Sequence, residues 1–189
     1  MSMAKERVEV MLDSLGHDSP SPVRSGLWWL PISFLIFLLD QWTKNSASEA
    51  LKIYQAVVVN DYLNWTLMHN EGMAFSFLAD QSGWQRWGIS LVAIAIVVWL
   101  LMWLKNNLIS AKSLNLGLVL VIGGAFGNIY DRLTLGYVVD FIEVHYTQYF
   151  WPAFNVADMA ISTGAFFLIV DLIMNSKQKE VIADENKSS

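Results

Sequence analysis

The sequence contains no cysteine and only three histidines in 189 residues. The first absence excludes disulfides, thiolate metal sites, a cysteine nucleophile and a lipidated cysteine on this chain. His17, His69 and His145 are scattered and their spacing suits no metal site. No Gly-x-Ser-x-Gly elbow and no phosphate-binding loop occurs, so a serine hydrolase of that type and a nucleotide enzyme are both unsupported. No metal or other cofactor is expected. Charge is scarce as well: 15% of residues are charged, where about 25% is usual. The net charge of −5 leaves nothing to neutralise a row of phosphates and argues against nucleic acid. No internal repeat is evident. What is abundant is apolar: 54% of residues are hydrophobic, with nine Trp, ten Phe and six Tyr. Such aromatic loading suits a membrane–water interface, and the chain reads as membrane-embedded.

Four apolar stretches are long enough, or nearly so, to cross a hydrocarbon core of about 30 Å. They run from about Leu27 to Lys44, Trp87 to Leu104, Leu114 to Leu133 and Asn155 to Asn175. The expected architecture is an all-α membrane protein of four transmembrane helices, with residues 24–175 forming the membrane domain. Residues 1–23, with Ser-Pro-Ser-Pro at 19–22, read as a polar, disordered cytoplasmic tail, and residues 176–189 read the same way. If the N-terminus is cytoplasmic, that side receives eight basic residues (Lys5, Arg7, Arg24, Lys105, Lys112, Lys177, Lys179, Lys187) and the other four (Lys44, Lys52, Arg86, Arg132). The positive-inside rule then places both termini inside. The first span has a rival reading as a cleavable secretory signal, from Arg24, the apolar run Leu27 to Leu39 and Ser46-Ala47-Ser48; Asp40 and Lys44 count against it.

The two outer connections carry β signals. Val57-Val58-Val59, a turn at Asn60-Asp61 and alternation through Leu63, Trp65 and Leu67 suggest short strands. The segment from Gly136 to Phe154 is dense in aromatic and β-branched residues. A small β element resting on the outer membrane surface is expected to use both segments.

An acid in or beside a span is costly and invites a functional explanation. Gly117, Gly124, Asn128 and Asp131 recur at helical spacing along the third span, and Gly123 and Gly127 form a small-xxx-small pair. Arg132 can share the face of Asn128. Asn155, Asp158, Ser162 and Ala165 form a stripe along the fourth, where the small residues read as helix packing. Asp140 and Asp158 both fall at the outer edge, at similar depth. Two carboxylates so placed can share a proton and activate a water for hydrolysis. The plainer readings are that Asp158 caps its helix and Asp140 is a loop acid. Asp131 and Glu143 compete for either place, although Asp131 beside Arg132 reads more easily as a structural ion pair. Asp171, 13 residues beyond Asp158, lies about 20 Å deeper and cannot join them. Asp40 and Lys44, at i and i+4, read on their own as an interfacial salt bridge with Lys44 snorkelling.

Five blocks then carry a resemblance: Asp40-Gln41-Trp42-Thr43-Lys44, Asn70-Glu71-Gly72-Met73-Ala74-Phe75-Ser76, Gly123-Gly124-Ala125-Phe126-Gly127-Asn128-Ile129-Tyr130-Asp131-Arg132, Val138-Val139-Asp140-Phe141 and Phe154-Asn155-Val156-Ala157-Asp158. In this order they resemble the motifs of bacterial lipoprotein signal peptidase (signal peptidase II). Met73 stands where that family usually has alanine, and the polar N-terminal extension is unmatched. The resemblance implies an aspartic endopeptidase of the bacterial inner membrane that removes the signal peptide from diacylglyceryl-modified prolipoproteins, before the lipidated cysteine. It implies that Asp140 and Asp158 are the catalytic dyad and that Asn128, Arg132 and Asn155 orient dyad or substrate. Asn70 and Gly72 would line the outer loop, Asp40 and Lys44 would brace the first helix, and the β segment would cradle the signal peptide. The expected partners are the lipidated substrate and membrane lipid, and a monomer suffices because the site needs no second chain. A different class is a four-helix membrane binding or ion/proton transport protein with Asp40, Asp140 and Asp158 on its path. The outer-edge clustering of the acids and the lack of repeated halves count against it.

Overall fold

The computed structural model describes residues 25–72 and 84–188; the expected N-terminal tail and the Met73 to Ser76 part of the outer loop lie outside them. A 3-10 turn, Gly26–Trp29, leads into helix α1 (Leu30–Ala50), with Pro31 in its first turn. Strands β1 (Ala56–Asn60) and β2 (Leu63–Asn70) follow, then helices α2 (Trp84–Asn106) and α3 (Lys112–Thr134), strands β3 (Val138–Tyr146) and β4 (Tyr149–Phe150), and helix α4 (Val156–Ser188). The segment from 176 onward, expected to be disordered, is helical and continues α4 to Ser188. Its Lys, Gln, Glu and Ala residues are strong helix formers, and neither Gly nor Pro interrupts them.

α2, α3 and α4 each contain a segment long and apolar enough to cross a membrane: Arg86–Asn106, Lys112–Thr134 and Val156–Ser176. α1 falls short because Asp40, Gln41, Thr43 and Lys44 dilute it. Two of these, Asp40 and Lys44, are buried against the other helices, whereas Phe34, Leu35, Leu38, Leu39 and Trp42 face outward. Leu91, Val92, Trp99, Phe166, Ile169 and Leu172 are likewise exposed on α2 and α4. An apolar surface of that extent would be an association hazard in water and is the natural outer face of a protein solvated by lipid.

α3 is the central element, packed against the other three helices. Its Leu118, Val119, Ile122 and Ile129 form the buried core with Val97, Leu100 and Leu104 of α2. Glycines make the other two seams. A side chain at Gly123 would meet the Ser33 backbone of α1, and one at Gly124 would meet the Ala157 carbonyl of α4. The small-xxx-small reading of Gly123 and Gly127 holds. The stripe expected on α4 is rotated, however. Ala157, Ile161, Gly164 and Leu168 face α3, while Ser162 is exposed.

The four strands form one antiparallel sheet in the order β1-β2-β3-β4. Asn60 makes the expected turn, its side-chain oxygen accepting from Tyr62 N–H at 2.9 Å. A bulge in β2 between Trp65 and Met68 resets the register so that Met68 pairs with Asp140 and Asn70 with Val138. That shift carries the end of β2 to the side of Asp140.

Candidate active site

The start of α4 is built as a reciprocal cap. The Asn155 Oδ1 accepts from Asp158 N–H at 3.0 Å, and the Asp158 Oδ2 accepts from Asn155 N–H at 3.2 Å. The helix-cap reading of Asp158 is therefore correct, but it uses only one carboxylate oxygen. The other, Oδ1, accepts from Asn128 Nδ2 of α3 at 2.8 Å.

Asp140 lies in β3, reached from α3 by a tight turn in which Gly136 takes a positive φ of 91° and the Arg86 guanidinium packs where a side chain would begin. It is buried and is no ordinary loop acid. Its Oδ1 accepts from Asn155 Nδ2 at 2.7 Å and its Oδ2 from Asn70 Nδ2 at 2.9 Å. Burial pushes its carboxyl up to about 6; the Asn70 hydrogen bond opposes this and the charge of Asp158 reinforces it. Asn155 thus touches both acids.

Three amides surround the carboxylates, and the far side of each is committed. Gly72 N–H donates to Asn70 Oδ1 at 2.9 Å, Lys44 Nζ to Asn128 Oδ1 at 3.0 Å, and Asp158 N–H to Asn155 Oδ1. Each amide therefore turns its N–H toward an acid.

Below them lies a buried ionic layer. Lys44 Nζ is 2.8 Å from Asp40 Oδ2 and 2.8 Å from Asp131 Oδ2. Asp40 Oδ1 accepts from Ala157 N–H at 2.9 Å, and Asp131 Oδ2 from Val139 N–H at 3.2 Å. The layer joins α1 and α3 to the first residues of α4 and β3. Two expectations change here. Lys44 does not snorkel, being only 2% exposed, because two carboxylates and an amide inside the bundle replace water around it. Asp131 pairs with Lys44 and not with its neighbour Arg132, since consecutive helical residues point apart. Arg132 bonds the Asn128 carbonyl at 3.3 Å and lies within electrostatic reach of Asp158, Asp140 and Asp131. A side chain at Gly127 would collide with the Asp40 carboxylate, which explains a glycine there.

Glu143 is drawn elsewhere: it accepts from Asn64 Nδ2 at 3.1 Å and Thr66 Oγ1 at 2.8 Å, inside the sheet. Asp171 is partly exposed, with an Asn175 partner. His69 stacks on Tyr137 and His145 on Phe150. Gln41 carries no role expected from the sequence, yet its Nε2 donates to Asp131 Oδ1 at 2.9 Å and Asp40 Oδ2 at 3.2 Å. Its position next to Asp40 and one helical turn before Lys44 and Asn45 was the available signal.

A helical bundle with an apolar exterior, bearing buried acids and amides gathered at one end, is the architecture of a membrane enzyme. Solved structures agree. A bacterial membrane enzyme superposes with a TM-score of 0.69 at 28% identity, covering 76% of this chain and 91% of that one; a second gives 0.70, covering 80% and 90%. The family model for signal peptidase (SPase) II matches residues 32–174. A lipoprotein signal peptidase from Pseudomonas putida is 47% identical over 169 residues, 88% of this chain and 99% of its own. Another from Alteromonas mediterranea is 45% identical over 155 residues, 82% and 85%. The chain belongs to the signal peptidase II family.

Proposed function

We propose that this chain is an aspartic endopeptidase that removes the signal peptide from diacylglyceryl-modified prolipoproteins, cutting before the lipid-bearing cysteine, with Asp140 and Asp158 as its dyad. The observation that carries the assignment is the bridging of both acids by one residue, Asn155. Two carboxylates in one another's field cannot both ionise freely, and Asp140, pushed up to about 6, keeps its proton well above the ordinary carboxylate range. The ionised member takes a proton from water as its oxygen adds to the scissile carbonyl. The protonated member hydrogen-bonds the carbonyl oxygen, and the departing amine collects a proton as the C–N bond breaks. Asn70, Asn128 and Asn155 orient the acids, Arg132 the charge that develops beside them, and Gly72 keeps the outer loop close to the site. Asp40 and Lys44 brace α1 beneath it.

All four helices span the bacterial inner membrane in this reading, α1 included, because its polar residues turn inward. Eight basic residues against four hold both termini inside, which puts the dyad at the outer face and the sheet on the outer surface as a cradle for the signal peptide. That placement suits the substrate. Each buried methylene of a lipid anchor is worth about 0.8 kcal/mol, so the scissile bond stays at the membrane edge and two carboxylates and a water must meet it there. The monomer is sufficient, since every group named comes from one chain. The test is incubation of the purified protein with a lipidated prolipoprotein. Release of the signal peptide by the parent protein, and not by Asp140→Asn or Asp158→Asn, is expected; cleavage undiminished in both variants would refute the dyad.

A further inference from the structure

Lys44 is among the largest fully buried side chains of the molecule, and all three ammonium protons have partners: Asp40, Asp131 and Asn128. Two carboxylates around one ammonium leave this layer with a net negative charge directly beneath two more acids. Ion pairs of this kind seldom gain much stability over apolar residues of the same volume, so the third bond is the informative one.

A carboxamide at position 128 could present either its oxygen or its NH2 to Asp158. With the oxygen on Lys44, the NH2 is left for the acid, at 2.8 Å. Reversed, the oxygen would face a carboxylate oxygen and the NH2 would face an ammonium, two repulsive contacts in place of two attractive ones. We propose that Lys44 is a positioning residue for the peptidase reaction: it locks the Asn128 carboxamide with its N–H on Asp158 and thereby fixes that carboxylate for work on the water. This rests on the peptidase reading above. Arg132 cannot substitute, because its guanidinium bonds the backbone carbonyl of Asn128 and leaves the carboxamide free to turn. The other donor to that oxygen, Asn155 Nδ2, is neutral and longer at 3.3 Å, and after its 2.7 Å bond to Asp140 its one remaining proton is shared with the Val139 carbonyl, also at 3.3 Å.

The charged groups facing the two acids are Lys44 and Asp40 from α1 and Asp131 and Arg132 from α3, while β2 contributes the neutral Asn70. Lys44→Met alone strands two buried carboxylates and can fail to insert. The decisive comparison is therefore Lys44→Met/Asp131→Asn against Asp131→Asn, both in full-length protein with a lipidated prolipoprotein. The double variant matches the parent's layer charge and removes the ammonium from Asn128, while the single variant keeps that bond with a layer one unit less negative; the parent therefore controls for charge and the single variant for the loss of Asp131.

Going from single to double, kcat should fall on the order of a hundredfold, the scale of a misplaced reacting group. KM should barely move, because the lipid and signal helix dominate binding. The acid limb of the kcat profile should shift to higher pH, since the pair loses both an N–H donor and the Lys44 charge that lowers the Asp140 carboxyl, so the fall in kcat is the readout specific to positioning. Equal kcat with an unmoved acid limb, or a loss confined to KM or to the amount of folded protein, would overturn the assignment. Absence of cleavage by the parent protein would overturn the peptidase reading, and this inference with it.

Discussion

Asp140→Asn should separate stability from activity in opposite directions. In the parent protein burial lifts the Asp140 carboxyl to about 6 from its ordinary 3.8. An acid whose proton is held more tightly when folded weakens the fold as pH rises: between those two values the folded chain keeps a proton that the unfolded chain has lost. The contribution is absent below the lower value, grows through the interval, and above it amounts to roughly 3 kcal/mol of lost stability. The amide cannot ionise, so the variant escapes that loss. It also sets one NH2 against the NH2 of Asn70 or Asn155, which costs about 1 kcal/mol. The expected balance at pH 8 is a gain of about 1–2 kcal/mol over the parent, fading to nothing or reversing at pH 4, while turnover is abolished. Thermal unfolding in detergent across that pH range measures the first, and lipoprotein cleavage the second. A variant less stable than its parent at pH 8 would refute the account of Asp140 as a buried acid held against its own ionisation.

Asp158→Asn should abolish turnover, and adding Asp140→Asn should cost little more, because residues working as one unit are non-additive; Asp171→Asn, on the exposed side of α4, should cleave normally. Retained cleavage by Asp158→Asn with loss in Asp131→Asn would move the dyad to Asp131. Arg132→Lys keeps charge but loses the planar fork, so cleavage should drop clearly with the protein still inserted, as read by rate at matched abundance. Gly127→Ala drives a methyl into the Asp40 carboxylate and should cost about 1–3 kcal/mol, visible as a lowered Tm. A reporter fused after Lys179 should read as cytoplasmic and one inserted near Gln148 as external; a C-terminus outside would remove the shared outer placement of the two acids.

The elements that periodicity controls were legible from the residues. The apolar run of α2 and the alternation in β2 each left a local signature, and Asn60-Asp61 named its own turn. The two dyad candidates were visible because acids at a membrane edge are conspicuous. What escaped is what depends on rotation and long-range pairing. The face of α4 lies one residue from the stripe expected, since Ala157 and Asp158 differ by about 100° around a helix and small or polar residues such as Ser162 and Ala165 flank the seam. Asp131 was assigned to the nearest cation in sequence, when its partner lies 87 positions away, between Lys44 and Asp131. No local pattern says that Lys44 turns inward, because an i,i+4 acid–base pair looks the same on a wet surface as in a bundle.

The bond between the Asp40 carboxylate and the Ala157 N–H joins positions 117 apart, and this has a consequence for the order of synthesis. In the proposed four-span topology α1 enters the bilayer with its own counterion, so Asp40 and Lys44 travel as a neutral couple. The remaining acceptors arrive with α3, and the donors of α4 arrive last. Until that helix is in place, Asp140 has neither Asn155 nor Asp158 beside it. With Asp140 and Asp158 as the proposed dyad, a chain still leaving the ribosome would be chemically inert, and competence would begin in one step, when the final helix docks.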